Sequence, residues 1–162
     1  MGRPEITKAL SALLEQHIHA GDSRVYWARE VTFDYGSVKP SRVDYMEFEP
    51  LNNSVSGIEK GDFSCYEIKS SVEDFHSPNG HNFYGDFNYY VMPRDVYDKV
   101  EIEISFFVGV LTPNENGTGL VSRQRARRRN RSRPALEMLL MMYRSFARDR
   151  HKEERQNADP AD

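Results

Sequence analysis

The chain has 162 residues, of which 38% are hydrophobic and 29% are charged, and its net charge is -3 at pH 7. A chain of this length fits one domain that buries a core without disulfide bonds or metal ions to hold it together. Cys65 is the single cysteine, which excludes an intramolecular disulfide and is typical of a reducing compartment. No apolar run reaches the roughly 18 residues of a membrane span, and the N-terminus lacks a signal-peptide core. We therefore expect a cytoplasmic protein with no membrane partner.

The N-terminal half is predicted to form one helix and three strands. Residues 4–20 have a proline in the first turn and apolar residues at helical spacing, which predicts a helix. Segments rich in Val, Tyr, Trp and Phe predict strands, and these lie at residues 24–35, 42–49 and 62–71. The loops between them are rich in Pro, Gly, Asn and Ser. Short connections of this kind indicate an antiparallel arrangement.

The C-terminal half is predicted to add further strands and two helices. After a break at Ser77-Pro78-Asn79-Gly80, the predicted elements are a strand at 88–93, a short helix at 94–102, a central strand at 105–111 and a last strand after a turn at 114–119. Residues 132–150 predict a helix, with Ser132 as its cap and Pro134 in its first turn. Residues 151–162 are polar and charged, which predicts a disordered tail. The whole indicates an α/β (α+β) domain over residues 1–150, with a mixed sheet of about five strands flanked by helices.

Two of the predicted strands each carry an acidic residue on a face that is otherwise apolar. Residues two apart in a strand share a face, so Glu67 and Lys69 lie on the side of Cys65, and Asp44 lies on the side of Met46. A buried carboxylate is costly unless it is protonated, paired with a cation or bound to a metal ion. Glu-x-Lys is also a common tripeptide. A metal site and a structural ion pair at a strand end are therefore both consistent with the spacing.

Positive charge is concentrated in one segment. Residues 1–122 have 10 basic and 19 acidic side chains, whereas residues 123–150 have 10 basic and 2 acidic ones. The candidates for nucleic-acid contact are Arg123, Arg125, Arg127, Arg128, Arg129, Arg131 and Arg133. Arginine favours bidentate contacts with phosphate groups. The alternatives are a solvated basic segment, or one that pairs with the acidic part of the chain.

The order of these elements and three short motifs resembles the PD-(D/E)XK nuclease superfamily, and within it the MmcB-type DNA repair proteins. The motifs are Glu67-Ile68-Lys69-Ser70-Ser71, Asp74-Phe75 and Tyr89-Tyr90-Val91-Met92-Pro93. The resemblance covers about residues 5 to 111. It implies a restriction-endonuclease-like mixed sheet, with an active site where two strands diverge.

The resemblance also implies roles for individual residues. Asp44 would be the principal ligand of a Mg²⁺ or Mn²⁺ ion, with Glu67 as the second ligand and the backbone carbonyl of Ile68 as an additional one. Lys69 would stabilise charge on the phosphate, or position and help to deprotonate the attacking water. Many relatives use a further glutamate from the first helix. Glu5 fits that place best, an exposed cap charge is its alternative role, and Glu15 and Glu30 are weaker substitutes.

The function that these features imply is metal-dependent hydrolysis of DNA phosphodiester bonds by an endonuclease, in DNA repair or in the processing of phage or mobile-element DNA. DNA is the expected partner, RNA is an alternative, and the helix at 132–150 could join two copies as a homodimer. His76 and His81 could serve as a general acid or base, or simply face solvent. The alternative function is a non-catalytic nucleic-acid-binding or assembly protein that retains the nuclease fold.

Overall fold

The chain folds around one mixed β-sheet in a computed structural model that describes residues 1–18 and 23–158. In this part of the chain six strands lie in sequence order across the sheet: β1 (Tyr26–Phe33), β2 (Ser41–Glu49), β3 (Asp62–Ile68), β4 (Phe87–Val91), β5 (Gly109–Pro113) and β6 (Leu120–Gln124). The helices are α1 (Arg3–Ile18), α2 (Val55–Glu59), α3 (Val72–His76), α4 (Arg94–Val100) and α5 (Ala135–Ala158), with a 3-10 turn at Glu101–Glu103. The predicted fold class is confirmed, with six strands where about five were expected.

The pairing of the strands decides where the candidate site lies. β1, β2 and β3 form the predicted antiparallel meander, β3, β4 and β5 are parallel neighbours, and β6 returns antiparallel to β5. Parallel neighbours need a crossover connection, and α3 with its following loop supplies one between β3 and β4. The C-terminal ends of β3 and β4 thus lie at the sheet edge where β2 begins. Asp44 and Glu67 are both near this edge.

Helix α1 covers one face of the sheet. Its apolar positions Leu10, Leu14 and Ile18 are buried in a cluster that includes Tyr45 and Tyr66 from the sheet. The helix begins at Arg3 and is described to Ile18, so it matches the prediction for residues 4–20 over this range. Residues 19 and 20 lie outside the described residues, as does the predicted end of the helix at residues 21 and 22.

Helix α5 packs on the opposite face through Met138 and Met142. It begins after Pro134, whose carbonyl accepts from the amide of Met138 (3.1 Å), and not at Ser132 as predicted. It continues past residue 150 to Ala158, so the prediction of a disordered tail is wrong for residues 151–158. These residues are mostly good helix formers with no Gly or Pro, and the pairing of Arg150 with Glu154 (3.0 Å) adds local support. Residues 159–162 of the predicted tail lie outside the described residues.

The alternation of β2 breaks at Asp44. A regular strand would place Val43 on the same face as Tyr45, but Val43 packs with Met46 in the cluster under α5, while Tyr45 packs under α1. Opposite Asp44 in β1, Glu30 has a positive φ of 51°, which is unusual for a residue other than glycine. The Glu30 carbonyl accepts from Arg148 of α5 (3.2 Å). The sheet is therefore irregular on both strands beside Asp44.

The predicted central strand at 105–111 begins later than expected. β5 starts at Gly109, and residues 105–108 form a turn closed by a bond from the Val108 amide to the Ser105 carbonyl (3.0 Å). The predicted short helix at 94–102 likewise ends at Val100 and continues as the 3-10 turn. Apolar composition made the turn residues resemble a strand, although two of them, Phe106 and Phe107, are exposed.

Candidate functional site

Asp44, Glu67 and Lys69 converge where β2 and β3 separate. The ladder between these strands is regular from Glu49 and Asp62 to the pair Tyr45 and Tyr66, and it ends there. Beyond this point the amide of Ile68 donates to Asp44 Oδ2 (2.9 Å) and not to a backbone carbonyl of β2. The Asp44 side chain thus occupies the gap between two diverging strands.

Glu67 is fully buried, with 0% of the residue exposed. Its Oε1 atom accepts from the amide of Asn82 (3.2 Å), whereas its Oε2 atom, when ionised, has no hydrogen-bond donor among the described residues. Burial, and then the nearby charge of Asp44, raise the pKa of the Glu67 carboxyl to about 9. Burial also raises the pKa of Asp44. The two carboxyl groups interact with each other, and protonation of Glu67 removes the repulsion between them.

Lys69 is also buried, with 2% of the residue exposed. Its Nζ atom donates to the backbone carbonyls of Asn79 (2.7 Å) and Asp74 (3.3 Å). Burial lowers the pKa of the Lys69 amine, against the attraction of Asp74, Glu67 and Asp44, which raises it. Among the described residues, the hydrogen-bond acceptors of the amine are these two backbone carbonyls and not carboxylates. A structural ion pair, which was the alternative from the sequence, therefore does not account for its hydrogen bonds.

The loop at residues 77–82 covers Glu67 and Lys69. Gly80 has a positive φ of 73°, and a Cβ atom placed on it would lie 2.7 Å from Lys69 Nζ and 3.4 Å from Glu67 Oε2. His81 holds the loop in place, with its ring bonded to the hydroxyl of Tyr90 (2.6 Å) and the carbonyl of Ser77 (2.8 Å). Because glycine has no Cβ atom, the Lys69 amine and the Glu67 carboxylate can lie directly against the backbone of residue 80.

Three other side chains at the start of α3 support this arrangement. Ser71 caps the helix by accepting from the amide of Asp74 (3.1 Å). Asp74 in turn accepts from the amide (2.9 Å) and the hydroxyl (3.0 Å) of Ser70, and it forms an ion pair with Arg3 of α1 (2.5 Å). His76 contacts Glu103 (2.8 Å), so both histidines considered as general acids or bases have partners within the chain.

The site opens into a cleft of about 730 Å³ that is lined by Arg42, Asp44, Lys69, Asp74 and the loop at 77–82. A second cleft of about 670 Å³ meets it at Asp44. The side chains that add basic charge to the second cleft are Lys8, Arg29, Arg42 and Lys152. We call the two together the carboxylate cleft. The C-terminal part of α5, which the sequence predicted to be disordered, forms one wall of it.

None of the three helix-glutamate candidates joins Asp44 and Glu67 directly. The carboxylate of Glu5 accepts from the amide of Gly2 (2.7 Å), which makes it an exposed cap, and Glu5 is not among the described residues that line the cleft. Glu15 lines the cleft but accepts from the hydroxyl of Tyr45 (2.7 Å), and Glu30 is exposed and 3.6 Å from Arg42. Within residues 1–18 and 23–158, no group of three or more His, Cys, Asp or Glu side chains is placed to hold a metal ion. Asp44 and Glu67 remain as a pair.

Three arginines of the segment at 123–133 are paired with acidic side chains of the sheet and its loops. These pairs are Arg128 with Asp62 (2.7 Å), Arg131 with Asp86 (3.4 Å) and Arg133 with Asp34 (2.7 Å). Their guanidinium groups also lie over aromatic rings of the chain. Hydrogen bonding to Asp34 raises the pKa of the Arg133 guanidinium. Pairing with the acidic part of the chain, which was one of the alternatives, therefore applies to these three.

The other four arginines of the segment are exposed. Arg123 donates to the hydroxyl of Thr112 (2.9 Å), and Arg125 lines a pocket with Glu47. Arg127 and Arg129 lie over two exposed rings at the far end of β5 from the carboxylate cleft. The segment as a whole does not line the cleft, so the sequence-predicted phosphate contacts and the carboxylates are at separate places.

The sequence did not identify Asn79, Gly80 and Asn82 as members of the site. Their turn signal was clear, but the return of the loop to Lys69 depends on the crossover between β3 and β4. Lys8 and Lys152 were also missed, because they approach Asp44 only when α1 and the end of α5 are packed.

No protein-family model matches this chain, and the comparison with curated proteins found no match. Among solved structures, the chain is similar to a protein of unknown function from Silicibacter pomeroyi. The two have 17% sequence identity and a TM-score of 0.65, over 96% of this chain and 94% of the other. At this identity the likeness shows a shared fold alone. In the described part of the chain, no helix is long and apolar enough to cross a membrane.

Proposed function

We propose that this protein is a metal-dependent nuclease that hydrolyses DNA phosphodiester bonds in the carboxylate cleft. One observation carries the proposal: the fully buried carboxylate of Glu67 faces the carboxyl group of Asp44 beside an open cleft, and one of its oxygens has no donor among the described residues. Two adjacent buried carboxylates repel each other when both are ionised. A bound divalent cation would remove that repulsion and satisfy the free oxygen.

The residues present fit a small, hard cation. Mg²⁺ prefers oxygen ligands and is commonly held by one or two carboxylates with several waters, so a third acidic side chain is not required. Asp44 and Glu67 would hold the ion, and the backbone carbonyl of Ile68 is the proposed additional ligand. When bound, Mg²⁺ or Mn²⁺ supplies a water of lowered pKa and stabilises negative charge on the phosphate.

The protein's own groups would orient the reaction. The amine of Lys69 is fixed by the carbonyls of Asn79 and Asp74, next to the two carboxylates, where it can stabilise a phosphate oxygen or align the attacking water. Burial lowers the pKa of this amine, and the attraction of Asp74, Glu67 and Asp44 opposes that shift. The loop at residues 77–82, which covers Glu67 and Lys69, would limit the access of bulk water to their side chains.

The basic side chains of the cleft suggest how a nucleic acid would lie. Lys8 of α1, Arg42 of β2 and Lys152 of α5 line the same cleft as Asp44. Acidic side chains also line it, and these are Glu15, Glu30, Asp149 and Glu153. Contacts from lysine and arginine to phosphate groups release counterions and give affinity that falls with salt. We expect phosphate groups of the backbone to contact these three cations where the nucleic acid passes Asp44.

The alternative function is a non-catalytic nucleic-acid-binding or assembly protein. It is favoured by the position of Glu5, which does not contribute a third carboxylate to the site, and by the lack of a three-residue metal cluster in the described part of the chain. Both functions predict binding of DNA that weakens with salt. They differ in whether Asp44 and Glu67 bind a divalent cation.

The experiment is to incubate the purified protein with supercoiled plasmid and with single-stranded DNA in the presence of Mn²⁺, and to compare Asp44→Ala and Lys69→Ala. We expect cleavage by the wild-type protein and none by either variant. Lys152→Ala should retain cleavage of DNA with a higher KM, since it removes a phosphate contact and no group at the reaction centre. Cleavage that survives both Asp44→Ala and Lys69→Ala would rule out this site.

A further inference from the structure

Two adjacent phenylalanines are exposed in the turn that leads into β5. Phe106 is 56% exposed and Phe107 is 38% exposed, and their ring centroids are 4.4 Å apart. Ile102, in the preceding 3-10 turn, is 92% exposed. Neighbouring apolar side chains exposed together are a common mark of an interaction surface.

An arginine lies over each of these rings. The guanidinium carbon of Arg127 is 4.5 Å from the ring centroid of Phe106, and that of Arg129 is 5.5 Å from the ring centroid of Phe107. Arg128, which lies between them in the chain, is instead paired with Asp62. The extended chain thus directs alternate arginines to opposite sides, and only Arg127 and Arg129 stack on the exposed phenylalanines.

Backbone hydrogen bonds hold this patch in shape. The amide of Arg127 donates to the carbonyl of Phe107 (2.9 Å). The side chain of Gln124 donates to the carbonyls of Ser105 (2.9 Å) and Val108 (2.6 Å), so it closes both ends of the turn. A surface fixed in this way loses little conformational entropy when a ligand binds.

We propose that Phe106, Phe107, Arg127 and Arg129 form a docking surface for single-stranded nucleic acid. Aromatic rings stack on bases, and guanidinium groups bind phosphate oxygens or stack on bases themselves. A duplex keeps the faces of its bases inside the helix and offers only phosphates to such a surface. The combination of exposed rings with arginine therefore favours a single strand over a duplex.

The surface is separate from the carboxylate cleft. It precedes the N-terminal end of β5, whereas the cleft lies at the C-terminal end of the parallel strand β3. Binding at the surface needs no metal ion, so it can be tested whether or not the protein cleaves DNA.

The experiment measures fluorescence anisotropy of a labelled oligothymidylate of about 20 nucleotides, which is longer than one typical single-strand site. It is done in EDTA, which prevents cleavage. We expect the double variant Phe106→Ala/Phe107→Ala to raise Kd for the single strand at least roughly tenfold, as expected from loss of base stacking. The same variant should leave Kd for a duplex of equal length within about twofold. Arg127→Ala/Arg129→Ala should weaken binding and also reduce its dependence on salt.

A matched control is provided by Tyr35 and Arg144, which form a similar exposed stack elsewhere on the surface (4.9 Å). Tyr35→Ala and Arg144→Ala should leave the affinity for the single strand unchanged. Phe106→Trp keeps an aromatic ring and should retain affinity, which separates a lost contact from a misfolded variant. Unchanged single-strand affinity in Phe106→Ala/Phe107→Ala, or an equal loss for the duplex, would overturn the proposal.

Discussion

The carboxylate cleft and the arginine-rich segment differ in how their charges are compensated. In the segment, Arg128, Arg131 and Arg133 each find an acidic side chain within the chain. In the cleft, Asp44 and Glu67 face each other, and their pKa values are raised because burial favours the neutral forms. Three arginines of the segment are therefore neutralised by acidic side chains within the fold. The two carboxyl groups of the cleft face each other, and a bound cation could neutralise them.

This difference shows that a cluster of like charges in the sequence does not by itself indicate a binding site. Seven arginines in 11 residues suggested a phosphate-binding segment, yet three of them are anchors that hold it on the sheet. Asp44 and Glu67 are only two acids, 23 positions apart in the chain, but both are raised in pKa by burial. Among the described residues, the buried side-chain atoms without a hydrogen-bond partner are one oxygen of Glu67 and one nitrogen of Arg131. Uncompensated burial is a stronger sign of a binding site than the density of charge along the chain.

The largest expected effect is on cleavage in the variant Glu67→Gln. We expect the initial rate of plasmid nicking with Mn²⁺ to fall at least roughly 100-fold, since an ion that supplies several kcal/mol of transition-state stabilisation would lose one of its two carboxylates. The matched control is Glu47→Gln on the neighbouring strand β2, where the carboxylate accepts from the Tyr66 hydroxyl (2.9 Å) and lines a different pocket from the carboxylate cleft. Equal rates in the two variants would remove the distinction between the cleft and the rest of the acidic surface.

The next prediction concerns the loop at residues 77–82 that covers the site, and it compares two glycines of positive φ. Gly80→Ala and Gly36→Ala should each reduce the free energy of unfolding by roughly 1–2 kcal/mol, because alanine is strained in this conformation. Only Gly80→Ala should also abolish most cleavage, since its Cβ would lie 2.7 Å from Lys69 Nζ, whereas nothing lies within 4 Å of a Cβ at Gly36. Urea unfolding and nicking rates measure the two effects, and loss of activity in Gly36→Ala would contradict the specific role of Gly80.

A third comparison lies within the arginine-rich segment. Arg133→Ala should lower the free energy of unfolding by about 1–3 kcal/mol, because it leaves Asp34 and Glu137 without their partner and removes the stack on Tyr84. Arg129→Ala, at an exposed position, should change it by less than about 0.5 kcal/mol. Urea unfolding of the two variants measures the difference. Similar decreases in the free energy of unfolding of both variants would show that the paired and the exposed arginines contribute equally to stability, which would contradict the prediction.

A further effect is on the pH dependence of stability in the absence of metal ions. The Glu67 pKa is raised from 4.5 to about 9 on folding, so its contribution to stability is fully present below pH 4.5 and is lost as the pH rises to about 9. Over this range the wild-type protein should lose stability relative to Glu67→Gln, which cannot ionise at this position. Asp44 and Lys69 titrate in both proteins, so the difference between them reports Glu67 together with its coupling to these two groups. Parallel curves from urea unfolding at a series of pH values would contradict the raised pKa.

Local patterns in the sequence predicted most of the fold. Period-two and helical spacing located the meander, the first helix and the last helix, because each buries one face against the sheet. The irregularity at Asp44 and Glu30 was not predicted, since it depends on contacts between β1 and Arg148 of α5. The helical end of α5 was missed because a polar composition was taken to indicate disorder.

The candidate site could be predicted only in part, for a physical reason. Asp44 and Glu67 were found because a carboxylate on an apolar strand face is visible in the sequence. The groups that hold Lys69 are backbone carbonyls of Asn79 and Asp74, which carry no residue-specific signal. The sequence likewise gave no sign of which arginines would be paired, since Asp62, Asp86 and Asp34 are brought to them by the sheet.

The most direct test of the central claim, that Asp44 and Glu67 form a divalent cation site, is a calorimetric titration of the metal-free protein with Mn²⁺. We expect the wild-type protein and Glu47→Gln to bind one ion with similar affinity, and Asp44→Asn and Glu67→Gln to lose that binding. Affinity in the wild-type protein should increase with pH, because the ion competes with the proton on Glu67. Absence of Mn²⁺ binding by the wild-type protein, or equal binding by Glu67→Gln, would contradict the claim, and with DNA binding intact it would favour the non-catalytic alternative.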